Sequence, residues 1–298
     1  MKVGITGASG FLGGALVAEG KRRGWTVVAF SRRPATAAEG IDETRSLADP
    51  GAVDLGGLDA LVHLAGEPVS GLWTQARKRR IRDSRVDLTR GLVEAIAAME
   101  RERRPATLVS ASALGYYGDR DDEPLDEESD PGFGFLAGVC RDWEAASAKA
   151  AKLGVRVVQP RIGLVLGREG FLKRVRPIFR LGLGGRLGQG RQWMSWIHVD
   201  DLARLLAECV ENRSVRGPVN AVAPHPVTNR EFTAVYARVL RRIAWLPVPA
   251  FNLALLPGGM GRLFLDSQRA EPVAMRAFGF EWAYPVLEDA LRAVENGS

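Results

Sequence analysis

Gly7, Gly10 and Gly13 stand three residues apart between a short apolar run, Lys2-Val3-Gly4-Ile5-Thr6, and a helical pattern marked by Leu12, Leu16 and Val17. Strand, glycine turn and helix in that order suit the holding of a dinucleotide pyrophosphate. Gly7 permits the tight turn, Gly10 lets the backbone approach the phosphates with no Cβ in the way, and Gly13 lets the helix pack close to the strand. Ser9, Phe11 and Leu12 complete the loop, and the helix N-terminus presents unpaired N–H groups and the positive end of its dipole to an anion. A second apolar run, Thr26 to Phe30, ends in Ser31-Arg32-Arg33. An acidic residue there would accept hydrogen bonds from the ribose hydroxyls of NAD. A guanidinium meets the 2′-phosphate of NADP instead, so the expected cofactor is NADP(H).

These residues need a scaffold, and strand signals recur at Val3–Thr6, Thr26–Phe30, Ala60–Leu64, Thr107–Ser112 and Val155–Pro160 with helical patterns between them. Such alternation predicts an α/β fold, a Rossmann-type doubly wound parallel sheet covered on both faces. The strand C-termini then share one edge, where ligands bind. Chemistry is expected in the segments that follow the strands, among them Ala65–Pro68, Ser112–Gly118 and Arg161–Gly167. From about 166 to 198 the texture turns Gly- and Arg-rich and reads as a substrate-side insertion in loop form. Thr228-Asn229-Arg230-Glu231 reads as a capping box before a helix. A Pro-rich stretch, Leu246–Pro257, marks a boundary, so the predicted domains are a dinucleotide-binding domain over 1–240 and a small C-terminal helical domain over 241–298.

The 298 residues suffice for an ample core, and 46% hydrophobic with 26% charged content excludes disordered and fibrous classes. Two cysteines, Cys140 and Cys209, are too few for a disulfide framework or a zinc site, which points to a reducing, cytoplasmic setting. With a strand read from the second residue, no secretory leader is expected, and no apolar run approaches a membrane span. The net charge of +6 is modest. Its densest cluster, Arg77-Lys78-Arg79-Arg80 with Arg82 and Arg85, continues into an amphipathic helix striped by Ile81, Leu88, Leu92, Ile96 and Met99, so the charges are read as a solvated face. No aromatic-rich binding motif accompanies them, and neither nucleic acid nor membrane is expected as a partner. The chain is expected to act as a monomer or homodimer.

The chain resembles the short-chain dehydrogenase/reductase superfamily in its extended, nucleotide-sugar-epimerase-like form. The resemblance rests on Thr6 to Gly13, His63-Leu64-Ala65-Gly66, Ser110-Ala111-Ser112 followed by Tyr116-Tyr117-Gly118, and Trp196-Ile197-His198-Val199-Asp200-Asp201-Leu202. More narrowly it is similar to an atypical group of epimerase-like proteins with a C-terminal domain of unknown function, through Gly66-Glu67-Pro68, Ser110 to Arg120, Cys140 to Glu144, Gly188 to His198 and Asn229 to Phe232. The likeness implies a cofactor site that also draws on Leu64, Ala65, Gly66, Glu67, Arg85, Ser110, Ala111, Arg161 and Gly163.

The superfamily's chemistry uses a serine, and a tyrosine four residues before a lysine. The lysine lowers the tyrosine pKa and holds the nicotinamide ribose. Ser112 matches the serine. No tyrosine here is followed four residues later by lysine, and aligning Glu144 with the family's acidic residue puts Leu136 and Cys140 in those two places. Arg85 stands where related epimerases carry an asparagine. Tyr116 and Tyr117, just beyond Ser112, are the substitute acid/base candidates, with Glu67 a further one. Arg191, Trp193 and Trp196, with the basic run Lys173 to Arg186, are candidates for an anionic, nucleotide-sugar-like substrate, the tryptophans either walling a ring or packing the core. His63 reads as a core residue, His198 as a brace at a helix start, and no spacing recommends a metal. Two functions are open: an NADP(H)-dependent oxidoreductase or epimerase, and a non-catalytic NADP(H)-binding protein that reports redox state.

Overall fold

The computed structural model of the chain describes residues 1–32, 39–249, 251 and 257–297. Arg33 lies outside them. Seven strands form one all-parallel sheet: β1 (Lys2–Thr6), β2 (Thr26–Ser31), β3 (Glu43–Ser46), β4 (Ala60–His63), β5 (Thr107–Ser110), β8 (Arg156–Ile162) and β12 (Gly217–Ala221), with the short β6 (Ser112–Ala113) extending β5 beside β8. The order β12-β8-β5-β4-β1-β2-β3 is that of a doubly wound Rossmann-type fold, as expected. β4 and β5 are buried along their whole length, as strands covered on both faces must be. The register sets Thr6 beside His63 and His63 beside Ser110, which fixes the row of side chains behind the site.

Two helices, α1 (Phe11–Arg22) and α6 (Val199–Glu211), cover one face through Leu16, Val17, Leu202, Leu205, Leu206 and Cys209. His198 caps α6, its Nδ1 accepting from Asp200 N at 3.2 Å. The other face is covered by α3 (Val86–Ala98), whose Leu92 and Ile96 meet Leu61 and Leu108, and by α4 (Phe135–Ala148). The basic helix is two elements rather than one. Helix α2 (Gln75–Asp83) stops at Ser84, and Arg85, at φ −110° and ψ −63°, turns the chain into α3.

The stretch expected as loop after residue 166 holds a helix, α5 (Gly170–Arg180), whose Leu172 and Phe179 are buried. The glycines and arginines around it masked an apolar stripe that Pro177 does not break. Short strands complete this side: β7 (Pro124–Leu125), β9 (Leu164–Leu166), β10 (Trp193–Met194), β11 (Trp196–His198), β13 (Val227–Thr228) and β14 (Arg269–Ala270). Helix α7 (Asn229–Val239) opens on the expected capping box between Thr228 and Glu231. Helices α8 (Arg262–Leu265), α9 (Val273–Ala277) and α10 (Leu287–Asn296) follow. The described residues after 257 build no core of their own. Met275 and Phe280 enter the main core, Leu287, Leu291 and Val294 pack with Phe179, Phe232 and Tyr236, and β14 pairs with β7. Among the described residues no helix is long and apolar enough to cross a membrane.

Candidate functional site

The glycine turn sits where β1 leaves the sheet. Gly7 adopts φ +75°, and a Cβ there would also lie 3.0 Å from Ala65 N, so the turn and the loop after β4 touch backbone to backbone. A Cβ on Gly13 would collide with the Gly7 carbonyl. Gly10 is the N-cap of α1, no side chain caps that helix, and its first turn carries no acid. Ser9 and Gly10 are exposed. The result is a helix end with open N–H groups and uncompensated dipole, shaped for a phosphate pair. Phe11 packs its ring toward Gly167 and Gly170, and Leu12 lies against the core, so they shape the loop from behind. Ser31 ends β2, and Arg32 beyond it is exposed.

The loop after β4 is built on Thr6. Its Oγ1 accepts from Leu64 N and Ala65 N, both at 3.2 Å, which leaves its proton to His63 Nδ1 at 2.7 Å. His63 is fully buried, its pKa pushed down to about 3 by burial and by the Arg85 charge, and its Nε2 has no partner among the described residues. Gly66 lies against the Arg85 guanidinium. Arg85 Nη1 donates to the carbonyls of Glu67 at 2.9 Å and Ile81 at 3.2 Å, and its side chain stacks over Trp143. Among the described residues neutral oxygens alone bond it, and burial pulls its pKa below the ordinary arginine value. The Glu67 carboxylate is bound by Arg77, which also donates to the Pro68 and Ser70 carbonyls. Arg77 and Arg85 therefore grip a loop instead of decorating a solvated face.

Beyond β5, Ser110 and Ala111 are buried, and Ser112 Oγ donates to Glu144 Oε1 at 2.6 Å. Arg161 closes the same carboxylate from β8 and donates through Nη1 to Tyr117 Oη at 2.8 Å. Tyr117 is fully buried, with its hydroxyl 2.6 Å from Asn220 Oδ1 and 2.8 Å from the Asp126 carbonyl, and burial pushes its pKa up to about 12. Tyr116 is half-buried and lies flat against Arg161, the guanidinium carbon 3.6 Å from its ring centre. Burial raises its pKa and the nearby Arg161 charge works against that rise. Of the two phenols, only Tyr116 has an accessible side chain. Gly163 is packed tightly on Ser195, 2.6 Å from where its Cβ would be.

Leu136 and Cys140 face Gly115 from α4, and burial pushes the Cys140 thiol up to about 12. On the substrate side, Arg191 is exposed and Trp193 half-buried, its Nε1 2.5 Å from Asp122 Oδ1. Trp196 walls no cleft. It is fully buried in the core, with Nε1 donating to the His225 carbonyl at 3.0 Å, because β11 turns it inward against β9. Part of the basic run is also committed. Arg176 binds Glu295 at 2.9 Å and Lys173 binds Glu169 at 2.8 Å. Sequence reasoning gave Glu144 and Asn220 no role at the site. An arginine inside the buried strand β8 is the signal that an anion must stand beside it.

Comparison with known proteins adds an independent finding. The sequence model of the NAD dependent epimerase/dehydratase family matches residues 3–223, and a domain of unknown function, DUF1731, matches residues 248–294. The Arabidopsis thaliana "Epimerase family protein SDR39U1 homolog, chloroplastic" is 40% identical over 99% of this chain and 86% of its own. The Bacillus subtilis "Epimerase family protein YfhF" is 36% identical over 98% of this chain and 97% of its own. Among solved structures, human epimerase family protein SDR39U1 (isoform2) with NADPH superposes with a TM-score of 0.91 at 31% identity, covering 100% of both chains.

Proposed function

Because this chain belongs to the NAD dependent epimerase/dehydratase family, we propose that it binds NADP(H) across the C-terminal edge of the sheet and performs hydride transfer, as reduction or oxidation-reduction epimerisation, on a small anionic substrate of nucleotide-sugar type. One observation carries the cofactor reading: an uncapped helix end behind a glycine turn that tolerates no Cβ at Gly13, with Arg32 exposed past the neighbouring strand. The human relative crystallised with NADPH supports it. Gly7, Ser9 and Gly10 would take the pyrophosphate, and Arg32 the 2′-phosphate. When bound, the nicotinamide supplies or accepts the hydride.

The chain's own residues then handle the proton and the charge. Tyr116 Oη is the acid/base: burial raises its pKa, and Arg161 against the ring offsets part of that rise. The cation that the family places on α4, where Cys140 stands, comes instead from Arg85, which lies close enough for its charge to act on the Cys140 thiol. Ser112 donates its hydroxyl hydrogen bond to Glu144, so it holds the Arg161 pair in place. A second reading, an NADP(H)-binding reporter without turnover, draws on that committed serine and the buried Cys140.

Calorimetric titration of the protein and of Arg32→Ala with NADPH and NADH tests the cofactor assignment. Arg32→Ala is expected to weaken NADPH binding by about 1–3 kcal/mol and leave NADH almost unchanged. Equal losses for both, or no affinity for either, would falsify it. NADPH consumption with a panel of nucleotide sugars and carbonyl compounds separates the two readings: tight binding without turnover selects the reporter.

A further inference from the structure

Two stretches of this chain carry no carboxylate. From Gly170 to Val199 there are six lysines and arginines, and from Phe232 to Leu265 four arginines, without one aspartate or glutamate. The fold lays parts of these stretches side by side. Leu183 bridges Ala244 in antiparallel fashion, Arg242 Nε donates to the Arg180 carbonyl at 2.8 Å, and Val248 N donates to the Arg186 carbonyl at 2.9 Å. A Cβ on Gly182 would lie 3.8 Å from Ile243 Cγ1. The shared surface is apolar at its tips, with Leu181 74%, Trp245 71% and Ile243 67% exposed. Beside it Arg186, Arg230, Thr233, Ala244 and Trp245 help line a cleft of about 210 Å³.

Large apolar side chains gathered on one patch are unusual for a surface that meets only water. Glu295 answers Arg176 and Arg180, and Glu288 answers Arg238. Arg186, Arg230 and Arg242 are exposed with no ion pair among the described residues, and these select an anionic partner. The apolar tips come from two adjoining turns, and they include a tryptophan among arginines, side chains that place an apolar body below an interface and a polar end at it. We propose that this face seats the protein on an anionic phospholipid surface, with a headgroup phosphate between Arg186 and Arg230 and the side chains of Leu181, Ile243 and Trp245 at the acyl boundary. Such seating needs no membrane-spanning helix. It also stands apart from the cofactor assignment.

Co-sedimentation of the full chain with vesicles of phosphatidylcholine alone, or mixed with phosphatidylglycerol, tests this. Binding is expected only with the mixed vesicles, released by high salt. Arg186→Ala combined with Arg230→Ala is expected to lower the partition coefficient by about tenfold to thirtyfold, at roughly a fivefold loss per arginine. NADPH affinity and Tm should stay at wild-type values in that variant. Brominated lipid should quench tryptophan emission in the wild type and much less in Trp245→Phe, which reads insertion with no change of charge. Absence of binding to the mixed vesicles overturns the proposal, as does binding that the paired arginine variant leaves unchanged, or quenching equal in wild type and Trp245→Phe.

Discussion

Arg161 holds Glu144 by both edges, Nε 2.9 Å from Oε1 and Nη2 2.9 Å from Oε2, in a setting where both side chains are almost wholly buried. A charge pair taken this far from water is stable only while both members remain. Glu144 also accepts from Ser112, and Arg161 also supports both tyrosines, so the pair links β6, β8 and α4 under the candidate site.

Glu144→Ala should therefore cost about 3–5 kcal/mol, since it strands a buried guanidinium. Glu144→Leu combined with Arg161→Leu should cost less than the two single changes added together. Urea unfolding at constant pH measures both, and a single-variant loss below about 1 kcal/mol contradicts the buried pair.

The two adjacent phenols should separate cleanly. Tyr117→Phe removes the hydroxyl between Arg161 and Asn220 and is expected to destabilise the fold by about 1–3 kcal/mol. Tyr116→Phe should leave stability within about 0.5 kcal/mol and lower the hydride-transfer rate by about a hundredfold or more, with NADPH affinity kept. Unfolding curves and single-turnover rates on the first substrate found decide it, and unchanged turnover in Tyr116→Phe removes that residue from the chemistry.

Gly13→Ala and Gly14→Ala differ by one position and should differ in sign. A Cβ at Gly13 meets the Gly7 carbonyl, so this variant should lose about 1–3 kcal/mol and most of its NADPH affinity. Nothing lies within 4 Å of a Cβ at Gly14, where alanine should add about 0.5–1 kcal/mol through helix propensity. Thermal unfolding with and without NADPH gives both answers.

His63 predicts an acid limit. Its pKa in the folded chain is about 3, below the ordinary 6.5, so between those values the unfolded chain binds a proton that the folded chain refuses. Stability must then fall as pH drops through that window, by roughly 2 kcal/mol from this residue alone between about pH 7 and pH 5. His63→Gln should flatten that part of the curve in urea titrations, and an unchanged slope would assign the acid sensitivity elsewhere.

Cys140 and Cys209 are both buried, with thiols pushed up to about 12. Neither should react with a disulfide reagent at neutral pH until urea opens the fold, when both should. Rapid labelling of one thiol in the native protein would show that α4 or α6 opens locally.

Much of the scaffold was legible because continuous apolar strands and glycine punctuation are local signals. The strand β3 was not, since its Glu43-Thr44-Arg45-Ser46 is polar and joins the sheet only by pairing with β2. The helix α5 hid behind its arginines. At the site, the glycine turn could be read because its chemistry lies in consecutive residues. The Glu144–Arg161 contact could not, because it depends on α4 lying over β8, and the burial of Trp196 depends on β11 pairing with β9. The break at Ser84 and Arg85 escaped notice because the apolar period runs on across it.

Asn220 offers its side-chain nitrogen to the carbonyls of Leu125 and Glu271 while its oxygen takes the Tyr117 hydroxyl. Met275 fills the main core a few residues later. A ribosome making this chain thus delivers the outermost strand of the sheet, β12, some fifty residues before the partner that completes its bonding. Until Glu271 has emerged, the nascent sheet carries an unfinished border, and a graft that exchanged the tail for an unrelated one would leave it unfinished for good.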